Sequence, residues 1–159
     1  GFMNTESVLV TNALVDEAVE ILRPGIKKLI KQHKRTVVYI VVLMMDPFDA
    51  EPVWEGAIGD ENREAWKGKT YDENAEAKAA MAMRMQEPNH VTLRSAPHQL
   101  ESGDFKYYGG EYRNGIAVGA SGLAEHQDYL VASMLAAAIE SLAMGAFEKA
   151  LADQKSNFL

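Results

Sequence analysis

The segment "SGLAEHQD", residues 121–128, sets a hydroxyl, a carboxylate and an imidazole at one expected helix start. Free backbone N–H groups at a helix N-terminus favour anions, and Glu125 with His126 has the residue types of an acid–base pair. The same side chains also suit capping and solvation, so catalytic and structural roles are both open here. Just upstream, "GGEYRNGIAVGASG" packs five of the chain's twelve glycines into fourteen positions. It lacks the pattern of a phosphate cradle, neither G-x-x-x-x-G-K-[ST] nor G-x-G-x-x-G after a strand. No lysine lies between Lys106 and Lys149 to meet a phosphate. Gly109, Gly110 and Gly119 instead fall within expected strands, where glycine costs stability. Such a position suits a bulge, or the close approach of a ligand or a partner subunit. "GASG" at 119–122 stops short of a G-x-S-x-G nucleophile elbow.

Other constellations point less far. Asp46, at the end of an apolar strand, is either a pocket carboxylate or a turn residue. Met81, Met83 and Met85 suggest thioether copper ligation, but successive members point about 200° apart on a helix, so adaptable core filling is the better reading. His33, His90, His98 and His126 are far apart in the chain, without paired metal-ligand spacing. That argues against a zinc centre and leaves a single axial haem ligand open. Zero cysteines exclude disulfides, thiolate metal sites and a thiol nucleophile. Ser133, Ala137, Ser141 and Gly145 recur every fourth residue, which suits either a subunit interface or tight packing on the chain's own sheet.

At 159 residues the chain reads as a single domain over 1–159, with 1–10 an N-terminal arm and Met3 a candidate native start. A net charge of -7 argues against nucleic-acid and anionic-membrane surfaces. The basic run "KKLIKQHKR" reads as a solvated helix face and its end. No unbroken apolar run approaches the roughly 20 residues that span a bilayer, and no signal peptide is visible, so the expected location is cytoplasmic.

The elements that must position these residues follow from periodicity. Residues 11–34 carry a helical apolar stripe interrupted by "RPG", predicting two helical pieces or one kinked helix. "TVVYIVVLMMD" predicts a strand buried on both faces, and "VWEGAIG" a second strand. "DENAEAKAAMAMRMQ" predicts a helix ended by Pro88, and "HVTLR" a short strand. "FKYYGGEYR" and "IAVGAS" flank Asn114-Gly115, which predicts a hairpin. A long helix then runs from about 123 to about 154, with Ser121 its capping candidate. The expected class is α+β: a single-layer, mostly antiparallel five-stranded sheet flanked by helices.

From Lys78 onward the chain resembles the GlcG/HbpS family, which includes the PduO C-terminal domain and is often labelled haem-degrading. Asp46 matches that family's strand-end acid, Ala75, Lys78 and Ala79 its helix core, and Gly109 and Gly110 its double glycine. Gly119, Ser121 and Gly122 match its strand signature, and Asp128 its later helix acid. The resemblance spans residues 12–145 and departs from the pattern twice. "DPFDAEPVWEGAIGDEN" replaces Gly-Gly followed by R-x-D-G, and no histidine precedes His33 in the first helix, where some members carry a haem-linked one. The resemblance implies a sheet flanked by helices, a homo-oligomer, and a small-molecule pocket near the double glycine and the Ser-Gly turn. Its expected ligand-binding set is Asp46, Lys78, Gly109, Gly110, Arg113, Gly119 and Ser121. The expected function is binding of a small ligand, with haem or another tetrapyrrole as the named cofactor. The alternative is an enzyme acting on a small organic acid or aromatic-pathway intermediate, with Lys78 or Arg113 holding a carboxylate and Glu125 and His126 as the acid–base pair.

Overall fold

The computed structural model describes residues 7–45 and 51–159. The first helix, α1 (Asn12–Gln32), starts where the Thr11 hydroxyl accepts the Leu14 N–H at 3.2 Å. It runs unbroken through Pro24, contrary to the expected interruption. A proline inside a helix costs about 3 kcal/mol; here Val15, Ala18, Val19, Ile26 and Ile30 are buried on both sides of it, so one packed face spans the defect.

Strand β1 (Val37–Met44) is central, pairing antiparallel with β2 (Trp54–Gly59) and with β4 (Ile116–Ser121), which pairs antiparallel with β3 (Gly110–Arg113). The sheet order is therefore β2-β1-β4-β3. Side chains alternate across the pleat: Val38, Ile40 and Val42 join the core under α1 and α4 (Glu125–Ala152). Val41, with Tyr39 and Leu43, faces the opposite side, against Ala75 and Ala79 of α2 (Tyr71–Met85). One sheet thus separates two helical layers.

Among the described residues the sheet has four strands, not the five expected. "HVTLR" is helical, within α3 (Asn89–Ser95), because Pro88 supplies the N-cap and its carbonyl accepts the Val91 N–H at 3.1 Å. Its β-branched residues favour a strand only where a ladder partner exists. "FKYYGGEYR" contributes a ladder only from Gly110, since Gly109 has a φ of +151° that breaks the extended run. The long helix begins at Glu125 with Ala124 at its N-cap, so Ser121 is the last residue of β4 and not a cap.

Helix α2 lies close on β4 because Gly119 has no side chain. A Cβ there would sit 2.0 Å from the Ala75 carbonyl oxygen and 2.7 Å from the Ala79 nitrogen. Gly119→Ala is therefore expected to pry α2 from the sheet and lose about 3 kcal/mol, the upper part of the overpacking range. Gly145→Ala, in α4 with no atom within 4 Å of the added carbon, should gain up to about 1 kcal/mol from helix propensity. Urea denaturation of both variants checks the contrast.

Candidate functional site

The corner where α2, the end of β4 and the start of α4 meet is held by one ion pair. Lys78 Nζ donates to the Ala120 carbonyl at 3.0 Å and lies 3.2 Å from Asp128 Oδ2. Both side chains are buried, at 2% and 3% exposure. Asp128 Oδ1 accepts the Leu123 N–H at 2.9 Å, so this acid also ties down the turn into α4. The ammonium sits 5.4 Å from the centre of the Phe105 ring, within cation–π range. Burial lowers the Lys78 pKa, with Asp128 and Glu125 opposing the shift. Burial likewise pushes Asp128 up to about 6, against the pull of Lys78 and the backbone N–H groups.

Beside this pair, Asn89 donates from Nδ2 to the Lys78 carbonyl at 3.1 Å and thereby fixes α3 against α2. The next residue, His90, packs edge-on to Tyr108 at 5.5 Å and to Tyr129 at 4.7 Å. Its Nδ1 is buried and has no hydrogen-bond partner among the described residues. Tyr129 donates its hydroxyl to Glu111 Oε2 at 3.0 Å, and burial, then Glu111, raises its pKa. Glu125 accepts the Tyr108 N–H at 3.0 Å through Oε2. His90, Leu93, Arg94, Tyr108 and Glu125 together line an open hollow of about 290 Å³. Arg94 is exposed there and forms no ion pair with a described residue.

The residues singled out in the sequence divide between this corner and elsewhere. Asp46 lies outside the described residues. Lys78 is in the corner but committed to Asp128 and Ala120. The double glycine is there too, but the chain fills the space beside it. A Cβ on Gly109 would meet Lys78 Nζ at 2.8 Å, and one on Gly110 would meet Asn89 Oδ1 at 2.5 Å. Gly119 is occupied by the α2 backbone, and Ser121 is buried opposite Tyr39 in the β1–β4 ladder. Glu125 lines the hollow, whereas its neighbour His126 is exposed and hydrogen-bonds no described residue. Arg113 lies opposite Ile116, at the other end of β4 from Ser121, where it meets Glu140 at 3.2 Å. Five residues of strand, roughly 17 Å, separate those ends. His33 contacts the Gln127 amide at the far end of α1. No group of three His, Asp or Glu side chains suited to a metal occurs among the described residues.

Arg94, Tyr108 and Tyr129 were not singled out as site residues by sequence, and His90 was named only among the four histidines, as a candidate axial haem ligand. His90 and Arg94 lie in "HVTLR" and Tyr108 in "FKYYGGEYR", both expected as strands, and neither pattern marks a binding side chain.

The ion pair yields a direct test. Lys78→Met leaves Asp128 buried without a counterion and should cost about 3–5 kcal/mol. Asp128→Asn in that background should restore part of the loss, since a neutral amide still accepts the Leu123 N–H. The pH dependence separates the two. Asp128 has its pKa raised from 3.8 to about 6 in the folded chain, so between those values the fold retains a proton that the unfolded chain releases. Its contribution to stability therefore falls as pH rises through that window. Denaturant titrations from pH 4 to 7 should show a steeper fall in Lys78→Met and a flatter profile in the double variant.

No family model and no curated protein matched the sequence. Solved structures did. Klebsiella pneumoniae protein ORFY, of the DUF336 family, superposes with a TM-score of 0.55 at 19% identity, covering 88% of this chain and 98% of that one. A double mutant of Streptomyces reticuli HbpS gives 0.54 at 18% identity, over 89% and 92%. A PduOC:heme complex gives 0.48 at 22% identity, over 85% and 95%. The chain, which resembles the GlcG/HbpS family in its sequence signatures, has the fold of ORFY and HbpS.

Proposed function

We propose that this protein binds a small organic acid in the hollow between α3 and the start of α4. The observation that carries the reading is the lining itself. A guanidinium without an ion pair among the described residues, Arg94, stands at a depression walled by Leu93 and the His90 and Tyr108 rings. Small-ligand sites are largely apolar with a few convergent polar groups, and an arginine fork suits a carboxylate. The volume, about 290 Å³, matches the lower end of the ~300–1,000 Å³ range of such sites.

Haem, the cofactor that the family resemblance implies, does not fit within one protomer. A macrocycle overfills a hollow of this size. The enzymatic alternative uses the same hollow. Glu125 is in reach of a bound acid, but His126 is one residue on, about 100° around the helix, and exposed.

Benzoate, a compact aromatic carboxylate, is a suitable probe, with uncharged benzamide as control. Amide signals of Leu93, Arg94 and Tyr108 should shift on titration with benzoate. Arg94→Ala should weaken that binding about tenfold, the equivalent of about 1.4 kcal/mol, and leave the benzamide response unchanged. Benzoate that moves none of these signals at millimolar concentration overturns the organic-acid reading. A Soret shift with hemin that His90→Ala removes would put a tetrapyrrole in its place.

A further inference from the structure

The hollow between α3 and α4 presents two opposite charges, and neither is matched by an ion pair among the described residues. Arg94 is one of them. Glu125, lining the same hollow, is the other. Its Oε2 accepts the Tyr108 N–H at 3.0 Å, while its Oε1 bonds to no described residue. Lys78 feels the Glu125 charge, which opposes the lowering of its own pKa. The Lys78 ammonium is nonetheless buried and committed to Asp128 and the Ala120 carbonyl. Arg94 and Glu125 do not pair with each other either.

Two unmatched charges of opposite sign restrict what fills the space. A plain monoanion gains Arg94 but sets its carboxylate beside a second one, and like charges at close range repel. A plain cation has the reverse fault. A zwitterion meets both. The dimensions agree. Taken as a sphere, a hollow of about 290 Å³ is about 8 Å across. Charge-assisted hydrogen bonds of about 2.8 Å at either end, with about 3 Å between the ammonium and carboxylate of an α-amino acid, bridge about 8 Å. The rest of the wall is Leu93 with the rings of His90 and Tyr108, which meet edge-on at 5.5 Å. Rings so arranged suit the packing of another ring.

We infer that the hollow selects an α-amino acid with an aromatic side chain, Arg94 holding its carboxylate and Glu125 Oε1 its ammonium. The inference rests on the organic-acid reading of the site and adds Glu125 to it as the residue that sets specificity. The Tyr108 N–H anchors that carboxylate by one oxygen and leaves the other for the ligand, so binding keeps the contact intact. A 2-hydroxy acid is the competing ligand, because a hydroxyl also donates to a carboxylate. The ammonium is favoured on strength, since hydrogen bonds involving ionised groups are roughly twice as strong as neutral ones. It also cancels the Glu125 charge, which a hydroxyl does not.

Probes that share one ring separate these cases: L-phenylalanine, L-3-phenyllactate and 3-phenylpropionate, each titrated at neutral pH against the amide signals of Leu93, Arg94 and Tyr108. L-Phenylalanine should bind about tenfold more tightly than either of the others, the advantage of one hydrogen bond between charged groups. Arg94→Ala should weaken phenylalanine and phenylpropionate alike. Glu125→Gln keeps an oxygen for the Tyr108 N–H. It should weaken phenylalanine about tenfold and leave phenylpropionate binding unchanged or tighter, a split that a merely structural role of Glu125 does not produce. L-Phenylalanine binding no more tightly than 3-phenylpropionate overturns the inference and leaves the organic-acid reading standing. Phenyllactate binding as tightly as phenylalanine overturns it too, and assigns the hollow to 2-hydroxy acids. Silence of all three acids and of benzoate at millimolar concentration removes the organic-acid reading, and the inference with it.

Discussion

An ammonium and a carboxylate taken out of water together set the geometry of this molecule. Lys78 comes from the helix on one face of the sheet and Asp128 from the long helix on the other, and they meet past the end of β4. Two isolated charges would not tolerate that burial, because desolvation costs several kcal/mol per ion. Each must therefore find the other, and the remaining lone pairs and protons must find backbone. They do so at the Ala120 carbonyl and the Leu123 N–H. The pair thus acts as a register pin: α2 cannot slide along the sheet, nor α4 rotate, without leaving a charge unmatched. Apolar contacts under α1 and α4 supply the bulk of the driving force, but they do not choose among neighbouring registers.

The glycines follow from that pin. With Lys78 reaching across to α4, the helix that carries it has to lie almost in contact with the strand backbone. Gly119 admits the Ala75 carbonyl, Gly110 admits Asn89, and Gly109 leaves room for the ammonium itself. Bare backbone in this hairpin is the imprint of a helix belonging to the same chain. The sequence reading offered a bulge, a ligand or a partner subunit and not the chain's own helices, because the bareness of a strand does not say what lies against it. Only the α2–β4 packing does.

Much of the architecture was legible because it rests on local patterns. Unbroken apolar character marked β1, Asn114-Gly115 marked the hairpin, and Ala-rich composition marked α2 and α4. The errors share one cause. A short β-branched stretch in "HVTLR" and a proline in α1 were judged on propensity, and in both places tertiary contacts outweighed it. For the site, Glu125 was legible as a polar residue at a helix start, and Lys78, like Asp128, through the family signature. Arg94 and Tyr108 were not, and His90 only as one of four histidines, since they lie in stretches expected as strands and acquire meaning only when α3 folds against α4. Arg113 shows the reverse. It is close in sequence to the double glycine, yet three steps along β3 carry it opposite Ile116, the far end of β4 from Ser121.

Where Asp128 sits also decides where a ligand's charge can be met. The start of a long helix offers unpaired N–H groups and a partial positive charge, and a sequence argument naturally places an anion there. In this molecule the chain's own polar side chains already crowd that end. Asp128 accepts the Leu123 N–H, Gln127 accepts the Ala124 N–H at 3.3 Å, and the Glu125 carboxylate stands over the same end. An incoming anion would meet two acids before it met a free donor. The positive charge left open beside the corner belongs to the neighbouring helix, on Arg94. Under the proposed reading, a ligand's carboxylate is therefore met from α3, by Arg94, across the hollow that Glu125 of α4 also lines.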